Sequence, residues 1–447
     1  MKLTRMKVYK FGGTSVGSAE RIKALLPLTM NGDARIVVLS AMAGTTNELV
    51  KITELLFNSE KAEAARAAEE MRLAYHRVVN DLLSKPAFIS EAMEMIDCHF
   101  EYIRGYTLKD FSKNMDRAII AQGELISTAL FRIYASEQGI NATLLPALSY
   151  MRIDKDGEPD MYYITQNLKR ELAAHKESQL IITQGFICRN AFGEVDNLKR
   201  GGSDYTATII GAAINAEEVQ IWTDINGVHN NDPRFVKNTS VIRQLSFDEA
   251  AELAYFGAKI LHPSSVNPAR QKNIPVRLKN TMEPEDEGTL IWTFSEGRGY
   301  KAVAAKDGIT VVKIKSDRML MAYGFLRKVF EIFEIYKTPI DMITTSEVAV
   351  SLTIDNVDNL GRIKGELEQF GTVEIDRNQS IICIVGNFIA EEAGTTLDIF
   401  SALKDVPVRM ISYGGSRHNV SIVIDSALKT SALEVLSANL FNTGKDV

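Results

Sequence analysis

The sequence predicts an α/β protein: a mainly parallel central sheet between helices, followed by two smaller units. Three observations carry this. Short apolar runs alternate with helical patterns from Lys7 to Lys279, the rhythm of a parallel sheet with crossover helices. Glycine-rich or hydroxyl-rich turns follow several of those runs, where such sheets bind ligands. Beyond Ile309 a β-α-β-β-α-β order appears and then recurs, the ferredoxin-like pattern.

The first run, Met6–Tyr9, leads into Lys10-Phe11-Gly12-Gly13-Thr14-Ser15, and Ser18–Leu26 follows with apolar residues at helical spacing. Two adjacent glycines let the backbone approach a ligand, because no Cβ intervenes. A helix N-terminus and a strand-end Lys10 suit an anion such as a phosphate. An ordinary strand-to-helix turn with a surface lysine explains the hexapeptide equally well. Arg35–Ser40 reads as a buried strand ending in the small-residue loop Ala41–Asn47, and Leu49, Ile52, Leu55 and Leu56 mark the next helix. Residues 61–106 read as packed helices without chemistry.

Asp116–Thr128 reads as one helix carrying Glu124 in apolar surroundings. A buried carboxylate needs a cation or a ligand, and a solvated helix face is the alternative. Gln179–Phe186 is a strand ending at Gly185. The turn Lys199-Arg200-Gly201-Gly202-Ser203-Asp204 opens a helix through Ile214; Arg200 offers a planar fork for a carboxylate, and Ser203 or Asp204 is a natural cap. Glu218–Asp224 is a strand, Ser246–Phe256 a helix, and Pro275–Lys279 a closing strand.

Composition shifts at Glu283–Gly288 and Ser295–Gly299, which places a domain edge near residue 295. The tail then reads strand Ile309–Lys315, helix Gly324–Tyr336, strands Ile340–Thr345 and Val348–Ile354, helix Val357–Phe370 and strand Val373–Asp376. The second copy runs Ile381–Val385, Thr395–Leu403, Val408–Tyr413, Val420–Ile424 and Leu428–Phe441, and Tyr300–Ala305 is free to supply its missing strand. The expected organisation is therefore residues 1–295, then 296–447 with a unit of 308–378 inserted in one built from 299–306 and 379–447.

Composition excludes several functions. The 447 residues carry 45% hydrophobic side chains and a net charge of −6, a globular balance that disfavours nucleic acid. No apolar run approaches the ~20 residues of a membrane span, and the N-terminus lacks a signal-peptide core. Three distant cysteines, Cys98, Cys188 and Cys383, form no zinc or disulfide pattern, which suits a reducing cytoplasm.

Taken together, Lys10–Val16, Ser40–Asn47, Gln122–Thr128, Gln184–Phe186 with Arg200–Ala207, Thr223–Arg234 and Phe256–Pro263 resemble the aspartate kinases of the amino-acid kinase superfamily. Ile343–Val348 looks like the first of that family's paired ACT modules. The resemblance spans nearly the whole chain and is nearest the monofunctional, lysine-sensitive branch; no Gly-x-Gly-x-x-Gly fingerprint of a fused dehydrogenase is found.

The resemblance implies transfer of the ATP γ-phosphoryl group to the β-carboxylate of L-aspartate, with Mg2+ entering on the nucleotide and no direct protein ligand. By family position, Lys10 stabilises charge on the moving phosphoryl group, Gly12 and Gly13 give close backbone approach, and Asp204 organises the site and its cations. Arg200 would grip the aspartate α-carboxylate and Glu124 its ammonium, with Ser40, Thr46 and Ser203 hydrogen-bonding the substrate. Thr223, Asp224, His229, Arg234 and Lys259 match nucleotide positions, although His229 stands where many relatives have tyrosine. For an allosteric amino acid, L-lysine first and threonine as the alternative, the implied contacts are Met319, Gly324, Phe325, Leu326, Ile340, Asp341, Ser346 and Glu347. A homodimer through the ACT modules, or a tetramer, is implied as well. The rivals are another kinase of the superfamily, or a catalytically silent amino-acid sensor.

Overall fold

The structure, a computed structural model, describes residues 6–30, 35–112, 115–198, 201–257, 261–316 and 323–441. In chain order it runs β1 (Lys7–Phe11), α1 (Ala19–Thr29), β2 (Arg35–Leu39), α2 (Thr45–Phe57), α3 (Lys61–Leu82), α4 (Pro86–Gly105), α5 (Asp116–Ile120) and α6 (Gln122–Glu137). Next come β3 (Ala142–Leu145), α7 (Ala147–Tyr150), α8 (Met161–Ala174), β4 (Leu180–Gln184), β5 (Ile187–Arg189), β6 (Val195–Asn197), α9 (Gly202–Ile214) and β7 (Glu218–Thr223). Then follow β8 (Gln244–Ser246), α10 (Phe247–Tyr255), α11 (Asn267–Gln271), β9 (Val276–Asn280) and β10 (Thr289–Trp292). The tail holds β11 (Gly299–Lys315), α12 (Phe325–Ile335), β12 (Ile343–Thr345), β13 (Ala349–Ile354), α13 (Leu360–Leu367), β14 (Thr372–Asn387), α14 (Thr395–Ala402), β15 (Val408–Tyr413), β16 (Asn419–Asp425) and α15 (Lys429–Leu440).

The chain divides into two compact units, Met1–Val228 with Leu261–Phe294, and His229–Ile260 with Ser295–Val447. By compactness His229–Ile260 groups with the tail, although it is continuous in sequence with the segments on either side of it. The reason is packing: Phe235 and Val236 join the apolar cluster of Ile399, Ile422 and Leu433, and Asn231 Nδ2 donates to the Leu433 carbonyl at 3.2 Å.

In the first unit the strands lie in the order β3-β4-β2-β1-β7-β9-β10. All neighbours are parallel except β9 and β10. β2 and β4 are buried at every position, as strands covered by helices on both faces must be. Register puts Phe11 opposite both Leu39 and Trp222, Leu39 opposite Gln184, and Thr223 opposite Asn280. The carboxyl ends of β1, β2, β4, β7 and β9 therefore share one rim. β1 sits where the order reverses, with β2 on one side and β7 on the other, and such a switch point opens a crevice.

The expected single helix Asp116–Thr128 is broken at Ala121 into α5 and α6. Gln122 follows the break directly. Its side chain donates to the Ala118 carbonyl and meets His99 Nδ1 at 2.6 Å, which anchors the start of α6.

The tail forms one six-stranded sheet, β12-β13-β11-β14-β16-β15. The separate strands expected at Tyr300–Ala305 and Ile309–Lys315 are halves of β11, and those at Val373–Asp376 and Ile381–Val385 are halves of β14. Register shifts between Lys306 and Val311, with Gly308 at φ +75° and Asn378 at φ +56°, mark the joint. Each half keeps its own core: Ile314, Phe333, Leu352 and Ile363 on one side, Ile384, Ile399, Ile422 and Leu436 on the other.

Candidate active site

The turn after β1 is held by its own backbone. Gly12 donates to the Trp222 carbonyl at 3.2 Å, and its carbonyl accepts from Ser15 and Val16. The Gly13 carbonyl accepts from Ala43 at 3.1 Å. A Cβ on Gly13 would meet the Ala41 carbonyl oxygen at 3.0 Å, and one on Gly12 would meet Lys10 Nζ at 3.4 Å. Close approach of backbone therefore favours glycine at Gly13, whereas a Cβ on Gly12 would make only an ordinary contact with the end of a flexible side chain. Lys10 lies over the turn, with its Nζ 2.8 Å from Asp204 Oδ1. Asp204 stands in the first turn of α9, whose N-cap Gly201 adopts φ +79°. The pair is mostly buried, so the ammonium is held in place rather than left to sweep through solvent.

A second cluster adjoins it. Ser40 Oγ donates to Ser203 Oγ at 2.9 Å, and Gly185 makes room for Ser203, whose side chain a Cβ there would strike. Ser127 Oγ donates to the Ser40 carbonyl at 2.8 Å, and Ala41 N–H donates to Glu124 Oε1 at 3.1 Å. Glu124 is only 3% exposed, and its Oε2 is buried with no hydrogen-bond partner among the described residues. Burial pushes its carboxyl up to about 7, against the opposing pull of the Ala41 N–H. Thr46 is half-buried in the first turn of α2, while its neighbour Thr45 bonds Tyr75 across the core at 2.7 Å.

At the end of β7, Thr223 Oγ1 donates to Asp224 Oδ1 at 3.1 Å, and the Thr223 carbonyl accepts from Thr281 N–H at 2.8 Å. Lys10, Gly12, Gly13, Ser40, Glu124, Ser203 and Asp204 therefore gather at one rim, and register places Thr223 and Asp224 at the same rim at the end of β7. His229 and Arg234 belong to the second unit. There His229 Nδ1 lies 2.8 Å from Thr239 Oγ1, and burial lowers the imidazole pKa. Arg234 pairs with Asp232 at 2.6 Å. Arg200, Lys259 and Met319 lie outside the described residues.

In the tail, Gly324 takes φ +82° as N-cap of α12 with Phe325 buried and Leu326 exposed behind it. Ile340 is half-buried, and Ser346 and Glu347 are exposed in the turn closed by Ser346 N–H to the Ala349 carbonyl at 2.8 Å. Asp341 departs from a solvated hairpin charge. Its side chain is 2% exposed, Lys306 Nζ lies 2.7 Å from Oδ1, and Tyr255 Oη donates to the same oxygen at 3.1 Å. Burial works against the Lys306 ammonium, yet bonds to Asp341 and Asp355 raise its pKa overall. The same ammonium stands over the Tyr255 ring, 5.0 Å from its centroid. Lys306 carried no functional pattern in the sequence, because its partner is 35 residues away. Ser127 was equally silent, being one hydroxyl in an apolar helix.

Comparison with known proteins bears on this arrangement. Residues 5–280 match the amino acid kinase family and residues 382–440 an ACT domain. Lysine-sensitive aspartokinase 3 of Escherichia coli is 32% identical, over 98% of this chain and 100% of that protein. The chain is an aspartokinase. It phosphorylates aspartate at the expense of ATP. Chloroplastic aspartokinase 1 of Arabidopsis thaliana is 34% identical over 98% of this chain and 80% of its own length. Among solved structures, Escherichia coli aspartokinase III with aspartate and ADP, described as the R-state, superposes with TM-score 0.81 at 32% identity, covering 98% of this chain and 100% of the other. The same enzyme with lysine and aspartate, described as the T-state, gives 0.80 at 33%, covering 98% and 99%. The rival readings, a kinase for another acceptor and a silent sensor, give way to this membership. Among the described residues, no helix is long and apolar enough to cross a membrane.

Proposed function

We propose that the rim of the first unit holds aspartate and the ATP phosphates as follows, and that L-lysine restrains the reaction through the tail. The observation that carries the reading is Glu124: a buried carboxylate with an unpartnered oxygen, next to the Ser40–Ser203 hydroxyl pair. Leaving such a group empty is costly, and the ammonium of an amino acid would relieve it. Arg200 takes the α-carboxylate in this reading, and Ser40, Thr46 and Ser203 orient the bound substrate. The β-carboxylate is already a nucleophile, so no base is required. One of its oxygens forms the new bond to the γ-phosphorus as the bond to the β,γ-bridging oxygen breaks, and ADP leaves. The obstacle is repulsion between anions, which Lys10 offsets from its seat on Asp204. Lys259 acts on the phosphates from the other side. Thr223, Asp224, His229 and Arg234 hold the nucleotide. The Gly12-Gly13 cradle, tight against a Cβ at Gly13, suits a phosphate chain. Magnesium enters on the nucleotide, with no direct protein ligand.

The product feeds the route to lysine, threonine and methionine in the cytoplasm. The lysine ammonium groups pair with Asp341 and Glu347, with Met319, Gly324, Phe325, Leu326, Ile340 and Ser346 around them, in a homodimer joined by its ACT modules. The kinase reading is tested by a coupled assay with ATP and aspartate. ADP release and a hydroxylamine-trapped acyl phosphate are expected, and turnover only with another acceptor would overturn it. Inhibition by millimolar lysine, with threonine in parallel, tests the effector.

A further inference from the structure

Two buried hydroxyls stand apart from every role assigned above. Ser15 Oγ and Thr281 Oγ1 are 2.7 Å apart although 266 residues separate them, and both residues are buried. Ser15 closes the glycine turn, donating its N–H to the Gly12 carbonyl at 3.0 Å. Thr281 follows β9 and donates its N–H to the Thr223 carbonyl at 2.8 Å. β1 and β9 lie on opposite sides of β7. The hydroxyl pair therefore spans the carboxyl end of β7, from the phosphate turn to the loop bonded to Thr223. Gly12 N–H on the Trp222 carbonyl and Phe11 stacked on Trp222 at 5.6 Å complete the brace from the β1 side. On the β9 side, Asn280 Nδ2 donates to Asn226 Oδ1, and Asn226 Nδ2 donates to Glu283 Oε2 at 2.6 Å. Ser15–Thr281 is a side-chain bond that joins the turn to the β9 loop directly.

We propose that Ser15 and Thr281 are positioning residues for the nucleotide: their bond sets the distance between the turn that meets the phosphates and the Thr223–Asp224 edge. In this buried pair one hydroxyl donates and the other accepts, so a single bond joins the two side chains. The inference rests on the nucleotide reading given above. A rigid spacing between two subsites favours a ligand that bridges both and is indifferent to one that occupies neither. ATP spans them, while aspartate lies on the Ser40–Glu124 side.

The test uses the full chain and two readouts: calorimetric binding of a non-hydrolysable ATP analogue, and KM for each substrate. Ser15→Ala and Thr281→Val should each weaken analogue binding roughly tenfold, the size of one lost buried hydrogen bond. The double variant should be no weaker than the worse single, since one bond is lost in all three. Aspartate KM should stay within about twofold, and Thr281→Ser, which keeps the hydroxyl, should bind the analogue as wild type does. The proposal is overturned if both singles bind the analogue normally, if the double loses the product of the two effects, or if aspartate KM rises in step with ATP KM, as general loosening would produce. Absence of aspartate phosphorylation by wild type would instead count against the kinase reading, and the calorimetric arm would still decide this one.

Discussion

Two buried carboxylates in this molecule have opposite surroundings. Glu124, in the first unit, has one oxygen on a backbone N–H and no cation among the described residues. Asp341, in the second, has its own ammonium 2.7 Å away and a tyrosine hydroxyl beside it. Removing a carboxylate from water is expensive in either case. The fold meets that cost at Asp341 with Lys306 and leaves it standing at Glu124. A site left uncompensated is ready for a ligand cation. At Asp341 the charge is already matched by Lys306 on Oδ1, although Oδ2, like the Glu124 Oε2, is buried with no hydrogen-bond partner among the described residues. In this view lysine competes with Lys306 for Asp341, so its binding is tied to rearrangement of the Lys306–Tyr255 contact. Such a tie gives an effector differential affinity for two states, which inhibition requires.

The comparison is bounded by experiments that change each site in turn. The largest effect is expected away from both carboxylates, at Lys10. Lys10→Met should lower kcat by a factor of about 10²–10³, as loss of one preorganised charge-stabilising donor does, with aspartate binding retained. A rate within threefold of wild type, measured in the coupled assay, would place the charge stabilisation elsewhere. Next is Glu124→Gln, which keeps the shape and removes the charge. Aspartate KM should rise roughly 10- to 100-fold, the range of a charged hydrogen bond, while ATP-analogue affinity holds. If calorimetry shows ATP binding lost and aspartate binding kept, the uncompensated carboxylate serves the wrong substrate.

At the compensated site, Asp341→Ala should shift half-inhibition by lysine upward at least about fivefold, the lower end of ordinary coupling energies. The reading is the ratio of rates with and without lysine. Unchanged sensitivity would mean that the pair with Lys306 is structural only.

The smallest effect is on pH dependence. The Glu124 carboxyl is raised by burial to about 7, so below that pH the folded protein holds a proton there. Aspartate needs the ionised form, and its KM should therefore climb as pH falls through 7, by at most about tenfold per unit. The unliganded fold favours the opposite protonation state. A raised folded pKa contributes stability below the ordinary value of 4.5, and that contribution is lost as pH rises through about 7. Melting temperature without aspartate and aspartate KM should thus both fall as pH rises toward 7, because the unliganded fold favours the protonated form and aspartate the ionised one, and Glu124→Gln should flatten both.

Much of the rim was legible before any coordinates. Lys10-Phe11-Gly12-Gly13 announces a strand end and a turn, and only the wider set of motifs around it rules an ordinary strand-to-helix turn in or out. The alternation of apolar runs determines a parallel α/β sheet, since only covered strands can be apolar throughout, as β2 and β4 are. The βαββαβ order of the tail follows from the same periodicities. Tertiary structure alone decided the rest. Whether Tyr300–Ala305 and Ile309–Lys315 are two strands or one depends on pairing with β13 and β14, which no local pattern encodes. That His229–Ile260 packs with the tail depends on where Phe235 and Val236 find apolar neighbours. Glu124 and Asp341 are each a lone acid in the sequence. Their difference lies in which groups stand at hydrogen-bond distance, and the partners come from residues 83 positions away in one case and 35 in the other. Hydrogen bonds and ion pairs act through space at short range, so residues distant in sequence become partners only once the chain has folded.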